Sequence, residues 1–230
     1  MSQPAVQDRT RPRLLIFDAN ETLSDLSPLG ARFADLGLPD HVATSWFAGL
    51  LRDGFALTAA GASAPFAEIA AESLRVLFTS QQTDRELEDA VAHVMAGFRG
   101  LGVHPDVIEG VESLRELDLR LVTLSNGSAS VAESLLSAAG VREHFERLLS
   151  VEDAGSWKPS HGSYAYALEQ CQVGPAEAML VAVHPWDTDG AARAGLSSAW
   201  VNRHHARYPS YFRPPTVHAR SLTDLAQQLS

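Results

Sequence analysis

The apolar positions along this chain change period twice. Leu14–Phe17 is a run of four apolar residues with no polar face. Such a run suits a strand buried on both sides of a parallel sheet. From Ser27 to about Arg99 the spacing becomes helical. Ser27-Pro28 reads as a cap followed by proline at the first helical position, and Gly37 closes that helix. Pro39-Asp40 opens a second helix, with Val42, Trp46, Leu50 and Leu57 near helical spacing. Pro65 opens a third, with Phe66, Ile69, Leu74 and Leu77 on one face. Thr83 with Glu86 three residues later reads as a capping box before Leu87, Val91, Val94 and Phe98.

Beyond Gly102 strands and helices alternate. The pattern predicts a helix over Val107–Leu117, a strand over Leu119–Leu124 and a helix over Ser130–Ala139 closed by Gly140. A short strand at Leu148–Val151 leads into a loop, Glu152–Ser160, and then a helix over Ser163–Cys171. Next come a strand over Met179–Val183, a helix through Ala191–Ala194, a last core strand at Ser198–Val201 and an amphipathic helix at Ser221–Leu229. Such alternation means a parallel sheet with right-handed crossovers. The predicted fold class is α/β: a doubly wound parallel-sheet, Rossmann-like core at residues 12–25 and 103–230, with an all-helical cap domain inserted at 26–102.

Composition narrows the partners. At 230 residues the chain can bury a proper core. A net charge of −10 disfavours nucleic acid and acidic membrane surfaces, so an anionic substrate must be attracted locally. The single cysteine, Cys171, rules out an intrachain disulfide and fits a reducing cytosol. The N-terminal stretch has no apolar core of the signal-peptide kind, no segment approaches a membrane span, and Met1–Arg11 reads as a polar, poorly ordered lead. The expected location is therefore cytoplasmic.

The candidate chemistry lies at strand ends. Asp18 to Thr22, Ser125-Asn126 and His184 to Asp187 each follow a predicted strand, and Lys158 lies in the loop after another. Singly, each has an ordinary reading: Asp18 caps a turn, Asn126-Gly127 makes one, Lys158 is a solvated charge and Asp187 caps a helix. Parallel strands all point the same way, however, so these clusters should converge on one sheet edge, where open α/β sheets bind ligands.

The segments FDANETL (17–23), LSNGS (124–128), WKP (157–159) with Tyr164 six after the lysine, and WDTDGAARAGL (186–196) resemble the haloacid dehalogenase superfamily, in its order. The resemblance covers about Leu14 to Leu229 and is nearest to the type II 2-haloacid dehalogenases. It implies Asp18 as a carboxylate nucleophile that forms an ester with the substrate, and Lys158 as the cation beside it. It implies Ser125 and Asn126 as hydrogen-bonding partners of nucleophile, substrate or halide. Thr22 would orient Asp18, and Asp187 would hold Lys158 and help activate water. Ala19, Asn20, Phe47, Arg52, Tyr164, His184 and Trp186 are the candidate substrate-binding residues. The implied partners are a small anionic haloacid and the released halide. No cofactor and no metal are implied, and a homodimer is a family-level expectation.

Two departures separate subfamilies. The superfamily's phosphatases carry a second aspartate two after the nucleophile; this chain has Asn20, which gives up no proton at neutral pH. Their aspartate pair after the fourth strand would fall on Val183 and Asp187, and Val183 has no ligand atom for magnesium. Other positions depart from the haloacid dehalogenases: Asn20 and Glu21 replace an aromatic residue and a glycine, Ala182 and His184 replace serine and asparagine, and Phe47 falls where a cap arginine is usual, with Arg52 the nearest substitute. The leading expectation is a metal-independent dehalogenase. A magnesium-dependent phosphatase and an idle anion-binding member are the alternatives.

Overall fold

The computed structural model describes residues 11–81 and 83–230. Most of the lead Met1–Arg11, whose order was a sequence-based expectation, lies outside the described residues. Among the described residues six parallel strands form one sheet in the order β3-β2-β1-β4-β5-β6. They are β1 Leu14–Phe17, β2 Arg120–Ser125, β3 Phe145–Ser150, β4 Ala178–Ala182, β5 Ser197–Val201 and β6 Val217–Ala219. This is the doubly wound order, and the chain reverses direction across the sheet at β1. Phe17 sits level with Thr123 of β2 and Val181 of β4. The residues just past these positions therefore emerge on a common edge, on either side of the switch point.

Successive side chains of β1 point to opposite faces. Leu15 and Phe17 join one core with Leu121, Met179, Val181 and Ala199. That core is covered by α5 (Val107–Glu116), α6 (Ala129–Ala138) and the last helix, α10 (Leu222–Leu229). Leu14 and Ile16 face the other core, which includes residues of α8 (His161–Cys171) and α9 (Pro185–Arg193). It runs on into the four helices inserted after β1: α1 (Leu29–Ala34), α2 (Val42–Ala59), α3 (Phe66–Ser80) and α4 (Leu87–Arg99).

The insertion leaves and re-enters through paired strands of chain. Ser24 bridges antiparallel to Val103. The Asp25 N–H donates to the Gly102 carbonyl at 2.8 Å, and the His104 N–H to the Leu23 carbonyl at 2.9 Å. Helix α2 then grips the loop that bears Lys158. Gly54 lets the helix come so close that a Cβ there would lie 2.4 Å from the Trp157 ring. Trp157 donates its backbone N–H to Thr58 Oγ1 at 3.1 Å and its indole N–H to the Ala64 carbonyl at 3.1 Å. A fully buried indole needs such a partner, and here the loop between α2 and α3 supplies it.

Local readings differ from the structure at several places. Helix α1 is preceded by Pro28, not capped by the Ser27 hydroxyl; the Ser27 N–H donates to Asp25 Oδ1 instead. The capping box at Thr83 and Glu86 does not form. Helix α4 begins three residues later than that motif requires, with Glu86 itself in the extended conformation before Leu87, and Thr83 Oγ1 donates to the Arg85 carbonyl. Strand β3 starts earlier than expected, at Phe145, and Val151 opens a one-turn helix, α7 (Val151–Ala154), within the expected loop. Ser150 caps that turn by accepting from the Glu152 N–H. Helix α9 starts at Pro185, so Asp187 sits within its first turn. Strand β6 was not foreseen, because three residues beside Pro214-Pro215 carry no readable period. Among the described residues no helix is long and apolar enough to cross a membrane.

Candidate active site

Asp18 follows β1 directly, and its N–H continues the sheet by donating to the Val181 carbonyl at 3.0 Å. The chain then turns tightly: the Ala19 carbonyl accepts from the N–H groups of Leu23 and Ser24. The turn returns Thr22 beneath Asp18. The Thr22 hydroxyl donates to Asp18 Oδ2 at 2.8 Å and accepts from the Val183 N–H at 3.1 Å. One hydroxyl thus fixes the carboxylate and ties β1 to the end of β4.

The other oxygen, Oδ1, accepts from the Lys158 ammonium at 2.9 Å. Lys158 is fully buried and also donates to Asp187 Oδ2 at 2.6 Å. Asp187 Oδ1 accepts from the Tyr164 hydroxyl at 2.6 Å. Gly190, one turn beyond Asp187, makes room for this phenol: a Cβ there would lie 2.5 Å from the hydroxyl. Burial disfavours the Lys158 ammonium, but the charges of Asp18 and Asp187 outweigh it and hold its pKa above the usual lysine value. Burial also pushes Asp187 up, against the pull of Lys158. The ammonium and the phenol both donate to Asp187, so the ionised carboxylate is the form this geometry satisfies. Burial raises the Tyr164 hydroxyl well above its usual range, keeping it a donor.

A desolvated carboxylate held between a hydroxyl and an ammonium can attack an electrophilic carbon, because the fixed cation stabilises charge as it moves. Comparison with known proteins assigns the chain to a family. Residues 12–195 match the model of the haloacid dehalogenase-like hydrolases.

The chain belongs to the haloacid dehalogenase-like hydrolases.

Among relatives of this family, (S)-2-haloacid dehalogenase 4A of Burkholderia cepacia is 28% identical over 93% of both chains. The (S)-2-haloacid dehalogenase H-109 of Pseudomonas putida is 28% identical over 94% of this chain and 96% of its own. The solved structure of the L-2-haloacid dehalogenase RSc1362 superposes with a TM-score of 0.89 at 27% identity, covering 96% of this chain and 99% of that one.

Within this hydrolase the other candidate residues divide. Asn126 serves the lysine: its Oδ1 accepts from the Lys158 N–H at 3.0 Å and its amide donates to the Lys158 carbonyl at 3.4 Å. Ser125 Oγ accepts from the Gly127 N–H at 2.9 Å. Neither side chain hydrogen-bonds to Asp18, contrary to one of the roles expected for them. Tyr164 is not exposed to any substrate space; it is a partner of Asp187. Arg52 points to solvent and pairs with Asp53 at 2.8 Å, so it replaces no cap arginine. Its place on α2 puts it on the face away from Trp46, Phe47 and Leu50, which are buried.

A cavity of about 580 Å³ lies over the edge of the site, lined by Glu21, Phe47, His104, Val183, His184 and His204 among others. Phe47 stacks on Phe98 and leans on Phe66, so it is both cavity wall and part of the aromatic packing. Ala19 and Asn20 lie instead beside a much smaller cleft with Ser125. Trp186 is half-buried behind His184 and against Phe55, at 4.9 Å from each ring. It supports the wall without lining the cavity. Among the described residues no group of three or more His, Cys, Asp or Glu side chains is arranged to hold a metal ion.

Two supports escaped the sequence reading. Arg203 donates to the Thr22 carbonyl at 2.9 Å and pairs with Asp106, which in turn accepts from the Leu222 N–H at 2.7 Å. His104 Nε2 donates to the Glu21 carbonyl at 2.9 Å. Both hold the turn after Asp18 from outside. Arg203 stands two residues past β5, so the strand-end reasoning applied to the other clusters would have found it.

Proposed function

We propose that the protein hydrolyses short 2-haloacids of the S configuration through an ester on Asp18, without a metal. Asp18 attacks C2 of the haloacid opposite the halogen, the carbon–halogen bond breaks, and halide departs with inversion. Water then adds to the Asp18 ester carbonyl, the ester bond breaks, and the 2-hydroxyacid and a proton leave. Lys158 stabilises the charge on Asp18 and holds its orientation. Thr22 orients Asp18 from the other oxygen, Asp187 and Tyr164 hold Lys158, and Asn126 holds its backbone.

The observation that carries this reading is the buried carboxylate of Asp18 between the Thr22 hydroxyl and the Lys158 ammonium. The identity of the relatives, (S)-2-haloacid and L-2-haloacid dehalogenases, supports the substrate class. The ammonium already sits between Asp18 and Asp187, at 2.9 and 2.6 Å, as the cation these carboxylates need. Asn20 offers no acid for a phosphate leaving group, which sets the phosphatase reading behind. In this scheme residues 26–102 act as the cap over the site, the halide leaves by the cavity, and the enzyme works in the reducing cytosol as a homodimer.

The test is intact-protein mass spectrometry after brief exposure to (S)-2-chloropropionate in chelated buffer. The expected result is an adduct on Asp18 with release of chloride, both lost in Asp18→Asn while the fold persists. Chloride release by Asp18→Asn at the wild-type rate would overturn the assignment.

A further inference from the structure

The ammonium of Lys158 is already shared by two carboxylates, and Arg52 is out of reach. A haloacid brings another negative charge to this edge. Its carboxylate is one bond from the carbon that Asp18 attacks, so whatever receives it must lie within a few ångströms of Asp18 and open to the cavity.

His184 meets both conditions. It lines the cavity, and its Nε2 lies 3.8 Å from Asp18 Oδ2. The same nitrogen lies 3.4 Å from Glu21 Oε2, and Glu21 lines the cavity too. An N–H at that position can donate to either carboxylate. The ring lies nearly flat on Trp186, with centroids 4.9 Å apart and planes 19° apart, which fixes its aim. The backbone of Glu21 is held in the left-handed region at φ 62°, with its carbonyl tied to His104. Its carboxylate is thus presented to His184 by the turn itself.

We propose that His184 receives the carboxylate of the substrate, and that Glu21 is the internal carboxylate that occupies this place until substrate arrives. The proposal rests on the haloacid reading above. Substrate entry then exchanges one carboxylate for another on the same ring nitrogen. Burial raises the pKa of Glu21, with His184 and His204 opposing the effect and Asp18 adding to it. The groups around His184 are Asp18 and Glu21 from the turn after β1, His104 before α5, His204 after β5, Asp187 on its own helix, and Lys158 through Asp18.

The experiment is a nuclear magnetic resonance titration of the His184 ring in the full chain, assigned with His184→Gln, using propionate as an unreactive carboxylate and bromide as a halide. Propionate should move the His184 signal to saturation, and Glu21→Gln should bind propionate several-fold more tightly. In steady state His184→Gln should raise KM for chloroacetate at least tenfold, with a smaller change in kcat, and Glu21→Gln should lower KM. A response to bromide but not propionate, or a silent ring, would overturn the proposal. So would unchanged or weaker propionate binding by Glu21→Gln. A silent ring with halide release intact strikes the His184 assignment alone. A ring that responds to propionate in a protein that releases no halide supports the carboxylate receptor and strikes the haloacid reading.

Discussion

The Tyr164 hydroxyl donates to Asp187 Oδ1 at 2.6 Å, from a phenol with no exposed surface. Asp187 is thereby engaged at both oxygens, since Oδ2 takes the Lys158 ammonium. Tyr164→Phe removes the donor and leaves a buried carboxylate oxygen unpaired, a cost of about 1–3 kcal/mol. The freed carboxylate also pulls Lys158 away from Asp18. We expect a lower urea midpoint with unchanged slope, and a kcat for chloroacetate reduced about tenfold. A variant with wild-type stability and rate would mean that the phenol only fills space.

Lys158 stands at the centre of two buried ion pairs, so Lys158→Met leaves both Asp18 and Asp187 without their cation. Breaking a buried pair this way costs about 3–5 kcal/mol. Loss of a preorganised charge at the reacting group lowers the rate at least about a hundredfold. Burial raises Asp187 and Lys158 opposes it, so without the lysine its carboxyl moves further up and the variant gains stability as pH falls. Equilibrium unfolding at two pH values and chloride release measure both effects.

Gly54 carries α2 against Trp157, the residue before Lys158. Gly54→Ala should force the indole aside at a cost of about 1–3 kcal/mol. The damage passes to the lysine, because Trp157 and Lys158 share one loop. Tryptophan fluorescence should report the displaced ring, and kcat should fall more than in Arg52→Ala, which should match the wild type. Equal activity of the two variants would show that α2 does not position Lys158.

His104 has a pKa below its ordinary 6.5, held down by burial first and then by the charge of Arg203. The folded state therefore binds fewer protons at this ring than the unfolded chain. The stability it contributes is complete above 6.5 and is lost as pH falls through the lowered folded value. His104→Gln should shrink the stability difference between about pH 8 and about pH 5. Thermal melts across that range give the comparison, and an unchanged difference would place the titration elsewhere.

Much of the site was legible because parallel strands share a direction. Asp18 directly follows β1, Asp187 lies past β4 beside it, and Lys158 lies in the segment after β3, so all three fall on one edge of the sheet. The alternation of apolar runs gave away the layers for the same reason. What misled was local chemistry that competes. Thr83 and Glu86 spell a capping box, yet the helix starts later, because a motif shows that a cap can form and not where the helix packs. Arg52 is one helical turn from buried residues, but a helix turns its side chains about a hundred degrees per residue, and this one faces water.

By itself the sequence determined the alternation of β1 to β5 with helices, the inserted helical segment and the polar residues at the sheet edge, but not β6 or α7. These follow from periodicity and chain direction, which are local properties. Only the tertiary structure decided which donor meets which oxygen: Tyr164 on Asp187, Asn126 on the backbone of Lys158, Arg203 on the carbonyl of Thr22, and His184 between Asp18 and Glu21. Those pairings join residues far apart in the chain, and their geometry is set by how the layers pack.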